Sequence, residues 1–328
     1  MAFDYAWSTA TIWQPGAALT TRPIARILRT ERGLRDNFDH LGPGGRASAH
    51  YGARPATTVM AVLAVAILLS WLVLGLMSVR AAQSLPGALQ GPGGGIIGRF
   101  TLPELPGLLE QFFSSCLTPM EGENGMASLL PAYVAMWFLM AVAMMLPSAA
   151  PMIRTYCEIA DTAAAKGEEA VSPLVLVAGY LATWFAASVV FAAATVMLHT
   201  LSSGSPLAGP VTPIAAALSL AVAGLYQFSH FKEACLEKCR NPFAILFANW
   251  STRPSSIFRL GAAQGLWCLG CCWALMLIMF AVGIMNIFWM ALLGVFAIVE
   301  KQVEHRLASR VAGGLLLVWA AALLVISV

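Results

Sequence analysis

The stretch Gln264–Met279, with the sequence QGLWCLGCCWALMLIM, combines the hydrophobicity of a membrane segment with an unusual density of sulfur. Residues four positions apart lie on one face of an α-helix, so Cys268, Cys272 and Met276 form one row of sulfur atoms, with Cys271 beside it. Thiols and thioethers are soft donors, which suit Cu(I), Zn(II) or iron–sulfur chemistry. The stretch therefore predicts an apolar helix that carries a candidate metal site.

The composition of the whole chain indicates an integral membrane protein. The chain has 328 residues, of which 59% are hydrophobic and 11% charged, and its mean hydropathy is +0.75. Soluble domains carry about 25% charged residues. The formal net charge of +3 gives no reason to expect a nucleic-acid partner. The seven cysteines do not suggest a disulfide framework, because most fall within or beside predicted membrane segments.

Runs of about 20 apolar residues, the length that crosses a bilayer, predict an all-α fold. We expect a polytopic membrane helical bundle of about seven transmembrane helices, at residues 57–79, 131–153, 173–198, 211–230, 260–283, 285–302 and 309–327. Residues 57–328 form this predicted transmembrane domain, with an outer loop at 81–130, and residues 1–56 form a cytoplasmic N-terminal leader. The acidic loop 154–172 is expected to be a solvated surface.

The distribution of basic residues predicts the orientation of the bundle. With the N-terminus in the cytoplasm, 17 of the 19 Lys and Arg residues lie on the inner side, and only Arg80 and Arg99 lie outside. Cytoplasmic loops of membrane proteins carry such an excess of positive charge. The sequence therefore predicts a multi-pass protein of the cell inner (cytoplasmic) membrane.

A second row of sulfur atoms lies on the second predicted span. Met136, Met140 and Met144 again repeat every four residues. At about 1.5 Å per residue, the two rows match in depth from the inner surface, at about 15 Å for Met144 and about 14 Å for Cys268. We expect Met140 to face Cys272, and Met136 to face Met276, further out. Methionine is also a common packing residue, so a row without a ligand role remains the alternative.

A further group of donors follows the fourth span. Cys235 and Cys239 are four residues apart, and His230 lies nearby. If the fourth helix continues past the interface, these residues offer a soft metal a landing site at the cytoplasmic mouth; the alternative is two ordinary interfacial cysteines and a surface histidine. Glu300 and Lys301 are functional candidates, as ionisable residues in a span. They rank below the sulfur residues, because near the inner interface long side chains can reach water by snorkelling.

Two other functions stay open from the residues alone. Cys268 and Cys271 form a C-x-x-C pair, which is typical of thiol–disulfide or electron-transfer enzymes, although no charged neighbour in the sequence would activate a thiol there. The chain could instead be a structural or assembly subunit of another membrane complex, with sulfur as core filler. No nucleotide-binding signature is visible, so the sequence predicts no self-contained ATP drive, and an enzyme is the less favoured interpretation.

Three blocks of sequence resemble a known family. They are Trp137-x-x-Met140-x-x-x-Met144-Met145-x-Pro147-x-x-x-Pro151; Gln227-x-x-x-x-Lys232-x-x-Cys235-Leu236-x-x-Cys239-Arg240-x-Pro242; and Gly270-Cys271-Cys272-Trp273-x-Leu275-Met276, followed by Gly283-x-Met285-Asn286 and Glu300-Lys301. The chain is similar over roughly residues 130–302 to the bacterial domain of unknown function 2182, described as predicted metal-binding integral membrane proteins. The resemblance implies metal handling, and it implies a copper-dependent membrane enzyme or a copper chaperone as partner.

From the residues and the resemblance together, we expect a membrane protein that binds, traffics or delivers copper as Cu(I). The expected route enters at Cys235 and Cys239, continues through the sulfur near the middle of the membrane, and leaves toward the outer face. The expected ligands are Cys268, Cys271, Cys272, Met140, Met144, Met276, Cys235, Cys239, Met136 and His230.

Overall fold

The computed structural model describes residues 55–84, 97, 99, 107, 110–113, 126–203, 208–282, 286–303 and 306–327. Every regular element in this part of the chain is helical, which confirms the all-α prediction. The helices are α1 (Pro55–Ser84), α2 (Met126–Ala165), α3 (Pro173–Ser203), α4 (Ala208–Tyr226), α5 (His230–Arg240), α6 (Pro242–Ala248), α7 (Pro254–Val282), α8 (Ile287–Gln302) and α9 (Leu307–Ser327). Nearly all of the predicted leader, and most of the predicted outer loop, lie outside the described residues.

Among the described residues, five helices are long and apolar enough to cross a membrane. They contain the segments Ala56–Gln83, Leu130–Ala163, Pro173–Leu198, Pro254–Val282 and Leu307–Ile326. The helices α4 and α5 qualify only as a bent pair. Helix α8 has 16 residues, so it extends about 24 Å at about 1.5 Å per residue, less than the core thickness of about 30 Å. The fold therefore has five to six candidate spans, and about seven remains a prediction.

Helix α2 is longer than its predicted span. It covers 40 residues, or about 60 Å, and continues through residues 154–165, which the sequence analysis assigned to a solvated loop. Tyr156 and Cys157 are fully buried on this extension. The Tyr156 hydroxyl donates to the carbonyl of Val171 at 3.0 Å, which ties the extension to the start of α3. The solvated-loop prediction is therefore wrong for this part, because one helix face is covered by neighbouring residues.

The chain breaks and bends by 65° between α4 and α5. The sequence instead predicts a fourth helix that continues without a break through Cys239. The break is stabilised by Ser229, whose side chain accepts a hydrogen bond from the Lys232 backbone nitrogen at 3.0 Å and so caps α5. A serine in this position satisfies one of the free donors at a helix start. As a result α5 lies against α7 and α8.

Glycines bring α3 and α7 unusually close together. A Cβ atom at Gly179 would overlap the carbonyl of Phe258, and one at Gly261 would overlap the carbonyl of Leu176. One turn further along α7, a Cβ at Gly265 would lie 2.8 Å from Thr183. Small residues four apart allow helix backbones to approach in this way within membranes. Gly261 and Gly265 therefore set the position of the cysteine-bearing half of α7.

Four helices form a ring around the cysteines. Helix α2 packs on α3, α3 packs on α7, α7 packs on α8, and α8 packs back on α2. Helices α2 and α7 thus face each other across the ring, while α5 closes it by packing on both α7 and α8. Helix α4 lies outside, between α7 and α9, and α1 packs on α2.

A buried ion pair joins α5 to α8. The Lys232 ammonium lies 2.7 Å from a Glu300 carboxylate oxygen, and the two side chains are 2% and 3% exposed. Lys232 also donates to the Gln227 side-chain oxygen at 2.6 Å, and the Ser309 hydroxyl donates to Glu300 at 2.5 Å. The prediction that Glu300 snorkels to water is wrong. Removing either partner would leave a buried uncompensated charge, which is strongly destabilising.

The glycine contacts predict a specific sensitivity at the α3–α7 crossing. We expect Gly261→Ala to lower stability by about 1–3 kcal/mol, because the added methyl group overpacks a backbone contact. Gly314→Ala on α9 is the matched control, since nothing lies within 4 Å of a Cβ there; alanine is favoured over glycine in a helix interior by about 0.5–1 kcal/mol. Thermal unfolding midpoints in one detergent measure both effects. Equal midpoints for the two variants would contradict the close crossing.

Candidate metal centre

The sulfur atoms predicted on α2 and α7 all lie inside the protein. The side chains with at most 2% exposure are Met136, Met140, Met144, Cys268, Cys271, Cys272 and Met276. Both rows therefore point into the bundle and away from its exposed surface. A site between the two helices requires this burial. Buried methionines and cysteines also occur in an ordinary packed core.

Met145 makes a sulfur–sulfur contact between the two helices. Its sulfur lies 3.3 Å from the Cys272 thiol, and the Cys272 and Cys268 sulfur atoms are 3.9 Å apart. Met144, which the sequence analysis paired with Cys268, instead packs against Gly294 of α8. The contact register on α2 is thus one residue away from the predicted row, because the spacing of the methionines does not determine how α2 is rotated against its neighbours.

A second pair of cysteines links α5 to α7. The Cys239 and Cys271 sulfur atoms lie 3.9 Å apart. Cys235 sits directly on Gly270, where a Cβ atom would lie 2.6 Å from the Cys235 sulfur. The Tyr226 hydroxyl donates to the Gly270 carbonyl beside it. From the sequence, Cys235 and Cys239 are expected to lie apart from the cysteines of α7. The 65° bend before α5 instead makes the two groups neighbours.

The histidine of this segment does not join the sulfur atoms. His230 is the first residue of α5 and is exposed. It lines a different cavity, together with Gln227 and Arg306. Met136, Met140 and Met276 are buried in the surrounding core.

Lys301 reaches into the cluster from α8. Its ammonium donates to the Ser148 hydroxyl at 2.6 Å and to the Cys268 sulfur at 3.1 Å. The Tyr180 hydroxyl also lies 3.1 Å from the Cys268 sulfur. The prediction that Lys301 snorkels to water is therefore wrong: its charge faces inward and lies in contact with a thiol.

The Cys271 and Cys272 thiols both donate to the carbonyl of Cys268, at 3.1 and 2.7 Å. Bonds of this kind, from a side chain to a carbonyl three or four residues earlier, are common for small polar side chains in helices. They satisfy two buried thiols locally and hold both on the turn that follows Cys268.

A small cavity of ≈ 20 Å³ opens beside these groups. Cys239, Cys268, Tyr180, Gln264 and Lys301 line it. Gln264 is 3% exposed, and its side-chain nitrogen has no hydrogen-bond partner among the described residues. A volume of about 10–15 Å³ is needed for one water molecule, so the cavity has room for a single small guest that touches cysteines of both pairs.

These sulfur donors fit a soft monovalent metal ion better than a metal ion that requires four hard ligands. Among the described residues, no three His, Cys, Asp or Glu side chains are arranged to hold a metal ion. Two sulfurs that share a metal, with bonds of about 2.3 Å and an angle of about 120°, lie about 4.0 Å apart. The pairs Cys268–Cys272 and Cys239–Cys271, each at 3.9 Å, match this separation. Thioether and thiolate donors select Cu(I).

Several residues at the centre were not among the predicted ligands. Met145 was named only within the first of the three sequence blocks, and neither Tyr180 nor Gln264 was given a role. Ionisable or polar side chains within a membrane segment point to function by default, and this signal was present at Gln264 and Lys301. Tyr180 gave no such signal, because tyrosine is common in membrane helices.

Comparison with known proteins gives a family for the chain. A family described as PpoB2, copper chaperone, matches residues 134–323, which is more than half of the sequence and contains every cysteine discussed above. Neither the curated proteins nor the solved structures contain a match. The copper-related part of the resemblance found in the sequence is thereby confirmed, and the chain belongs to the copper chaperone family.

Proposed function

We propose that this protein is an integral membrane copper chaperone that carries Cu(I) as cargo on Cys268, Cys272 and Met145. The observation that carries the proposal is the meeting of these three sulfur atoms, from two facing helices, beside the Lys301 ammonium. Soft donors of this kind bind Cu(I) in preference to hard cations. Membership of a copper chaperone family supports copper as the metal.

The charge of Lys301 favours a monovalent ion. A Cu(I) ion held by two thiolates carries a net charge of −1, which the adjacent ammonium neutralises. A divalent ion such as Zn²⁺ on the same two thiolates is already neutral, and the ammonium is then left uncompensated in a buried site. Uncompensated buried charge costs several kcal/mol, so Lys301 contributes to selection of Cu(I) over divalent metals.

The second pair offers a path for transfer. Cys239 and Cys271 lie at the side of the cluster that α5 closes, and Cys239 borders the same small cavity as Cys268. A Cu(I) ion can therefore pass between the two pairs by exchanging one sulfur ligand at a time, without a free ion crossing apolar surroundings. Cys235, packed on Gly270, lies next to this route.

We further propose the membrane setting that the sequence favours. The protein crosses the inner membrane several times, with its N-terminus in the cytoplasm, and residues 1–56 form a cytoplasmic leader. The clustering of basic residues on one side supports this orientation. The partners are another copper chaperone or a copper-dependent membrane enzyme that receives the ion.

Replacing Cys272 tests the metal site. We expect the purified, reduced wild-type protein to retain Cu(I) and the Cys272→Ser variant to lose most of it. Serine removes the Cys272 sulfur, which contacts the sulfur atoms of both Cys268 and Met145. Cys157→Ser is the matched control: Cys157 is also a buried free cysteine, but it lies about 18 Å along α2 from Met145 at about 1.5 Å per residue. Copper per protein, measured after gel filtration, gives the result.

Near-zero copper in the wild type, or equal copper in both variants, would contradict the site. Thiol trapping on the same samples distinguishes the proposed copper chaperone from the alternative, a thiol–disulfide enzyme. A disulfide that forms and reduces reversibly between Cys268 and Cys271, without bound copper, would favour a thiol–disulfide protein.

Replacing Lys301 tests the charge argument. We expect Lys301→Met to lower the ratio of Cu(I) to Zn(II) affinity by at least about tenfold, because opposite charges about 4 Å apart at an effective dielectric constant of about 20 attract by about 4 kcal/mol. Lys301→Arg keeps the charge and should keep most of the preference. Competition with metal-specific chelators measures both affinities. An unchanged ratio in Lys301→Met would show that the ammonium has no part in selectivity.

A further inference from the structure

A second, larger cavity of ≈ 270 Å³ lies at the bend between α4 and α5. Its walls include Gln227, Lys232, Arg240, Arg306, Ser309 and Arg310. Its volume is just below the range of about 300–1,000 Å³ that is typical of ligand pockets. None of the cysteines of the metal centre lines it, so it is a separate feature of the fold.

The wall of this cavity carries an excess of positive charge. Four of its residues are cationic, namely Lys232, Arg240, Arg306 and Arg310. The two described carboxylates nearby are already engaged, since Glu300 pairs with Lys232 and Glu233 pairs with Arg306. Within the described residues, four cations and two carboxylates leave a net charge of +2 around the cavity, which favours an anion.

Gln227 supplies an independent sign of a ligand. The residue is 5% exposed, and its side-chain oxygen accepts from Lys232 at 2.6 Å. Its side-chain nitrogen lies in the wall without a hydrogen-bond partner among the described residues. A buried donor without an acceptor is costly, and an oxygen of a bound anion is the acceptor that this position lacks.

The position of the cavity indicates the kind of anion. It lies beside the end of α4 at Tyr226, next to the first turns of α9, which begins at Leu307. Phe228, Phe231 and Leu307 are at least half exposed around it, which places the basic wall at the border of an apolar surface. Basic pockets between membrane helices bind the phosphate groups of lipids.

We propose that this cavity binds a phosphate group, with Arg306 and Arg310 at its mouth and Gln227 donating from its inner wall. The guanidinium group matches phosphate oxygens with two parallel hydrogen bonds, whereas lysine acts as a point charge. The same chemistry suits the head group of an anionic phospholipid and free phosphate, and the experiment distinguishes the two sources.

The test uses the full-length protein in a neutral detergent, titrated separately with short-chain phosphatidylglycerol and with inorganic phosphate. We expect the double variant Arg306→Gln/Arg310→Gln to weaken binding by at least about tenfold, because each arginine contributes a charge-assisted hydrogen bond. The control is Arg253→Gln/Arg259→Gln, which removes the same charge from two exposed arginines outside the cavity. Distant exposed charges are screened by salt, so we expect the control to change binding by no more than about twofold.

Binding of phosphatidylglycerol alone, lost in the double variant, identifies a lipid head group. Binding of inorganic phosphate with the same loss identifies free phosphate. Equal affinities in wild type, double variant and control, or no binding of either probe, overturn the proposal. Arg310→Gln alone serves as a second variant that leaves the Arg306–Glu233 pair intact. Copper content should be unchanged in all of these variants, so this result is independent of the proposed copper function.

Discussion

The contact between the Lys301 ammonium and the Cys268 sulfur is the interaction on which the candidate metal centre depends. The Lys301 ammonium is partly buried among apolar helices, where a cation needs neighbouring groups that can carry or share negative charge. Thiols meet that need in a particular way: they are nearly apolar when protonated and anionic when they bind a metal. A monovalent metal on two thiolates, as proposed above, would carry the single negative charge that neutralises the ammonium.

The backbone features that make this contact possible lie elsewhere in the fold. Gly261 and Gly265 bring α7 against α3, and the bend before Ser229 folds α5 back onto α7. Gly270 leaves the space that Cys235 fills. The buried Lys232–Glu300 pair then holds α5 on α8. Glu300 directly precedes Lys301 in the chain. Together these features bring cysteines from two segments around one small cavity.

Much of this arrangement was accessible from sequence. Hydrophobic runs located the helices, and four-residue spacing identified the buried sulfur row of α7 and the methionines that face inward. The one-residue difference that favours Met145 over Met144 was not accessible, because it depends on how α2 rotates against α8. The bend at Gln227–Ser229 was also missed, since an uninterrupted apolar helix was assumed. Snorkelling was wrong for Glu300 and Lys301 because each finds a buried partner on another helix, and sequence spacing cannot show such partners.

X-ray absorption spectroscopy at the copper edge of the reduced, copper-loaded protein tests the central claim most directly. The proposed site predicts Cu(I) bound by sulfur atoms at about 2.3 Å, the distance of a metal–thiolate bond, with no nitrogen or oxygen atom bound to the metal. A spectrum dominated by nitrogen or oxygen ligands would contradict a site built from Cys268, Cys272 and Met145.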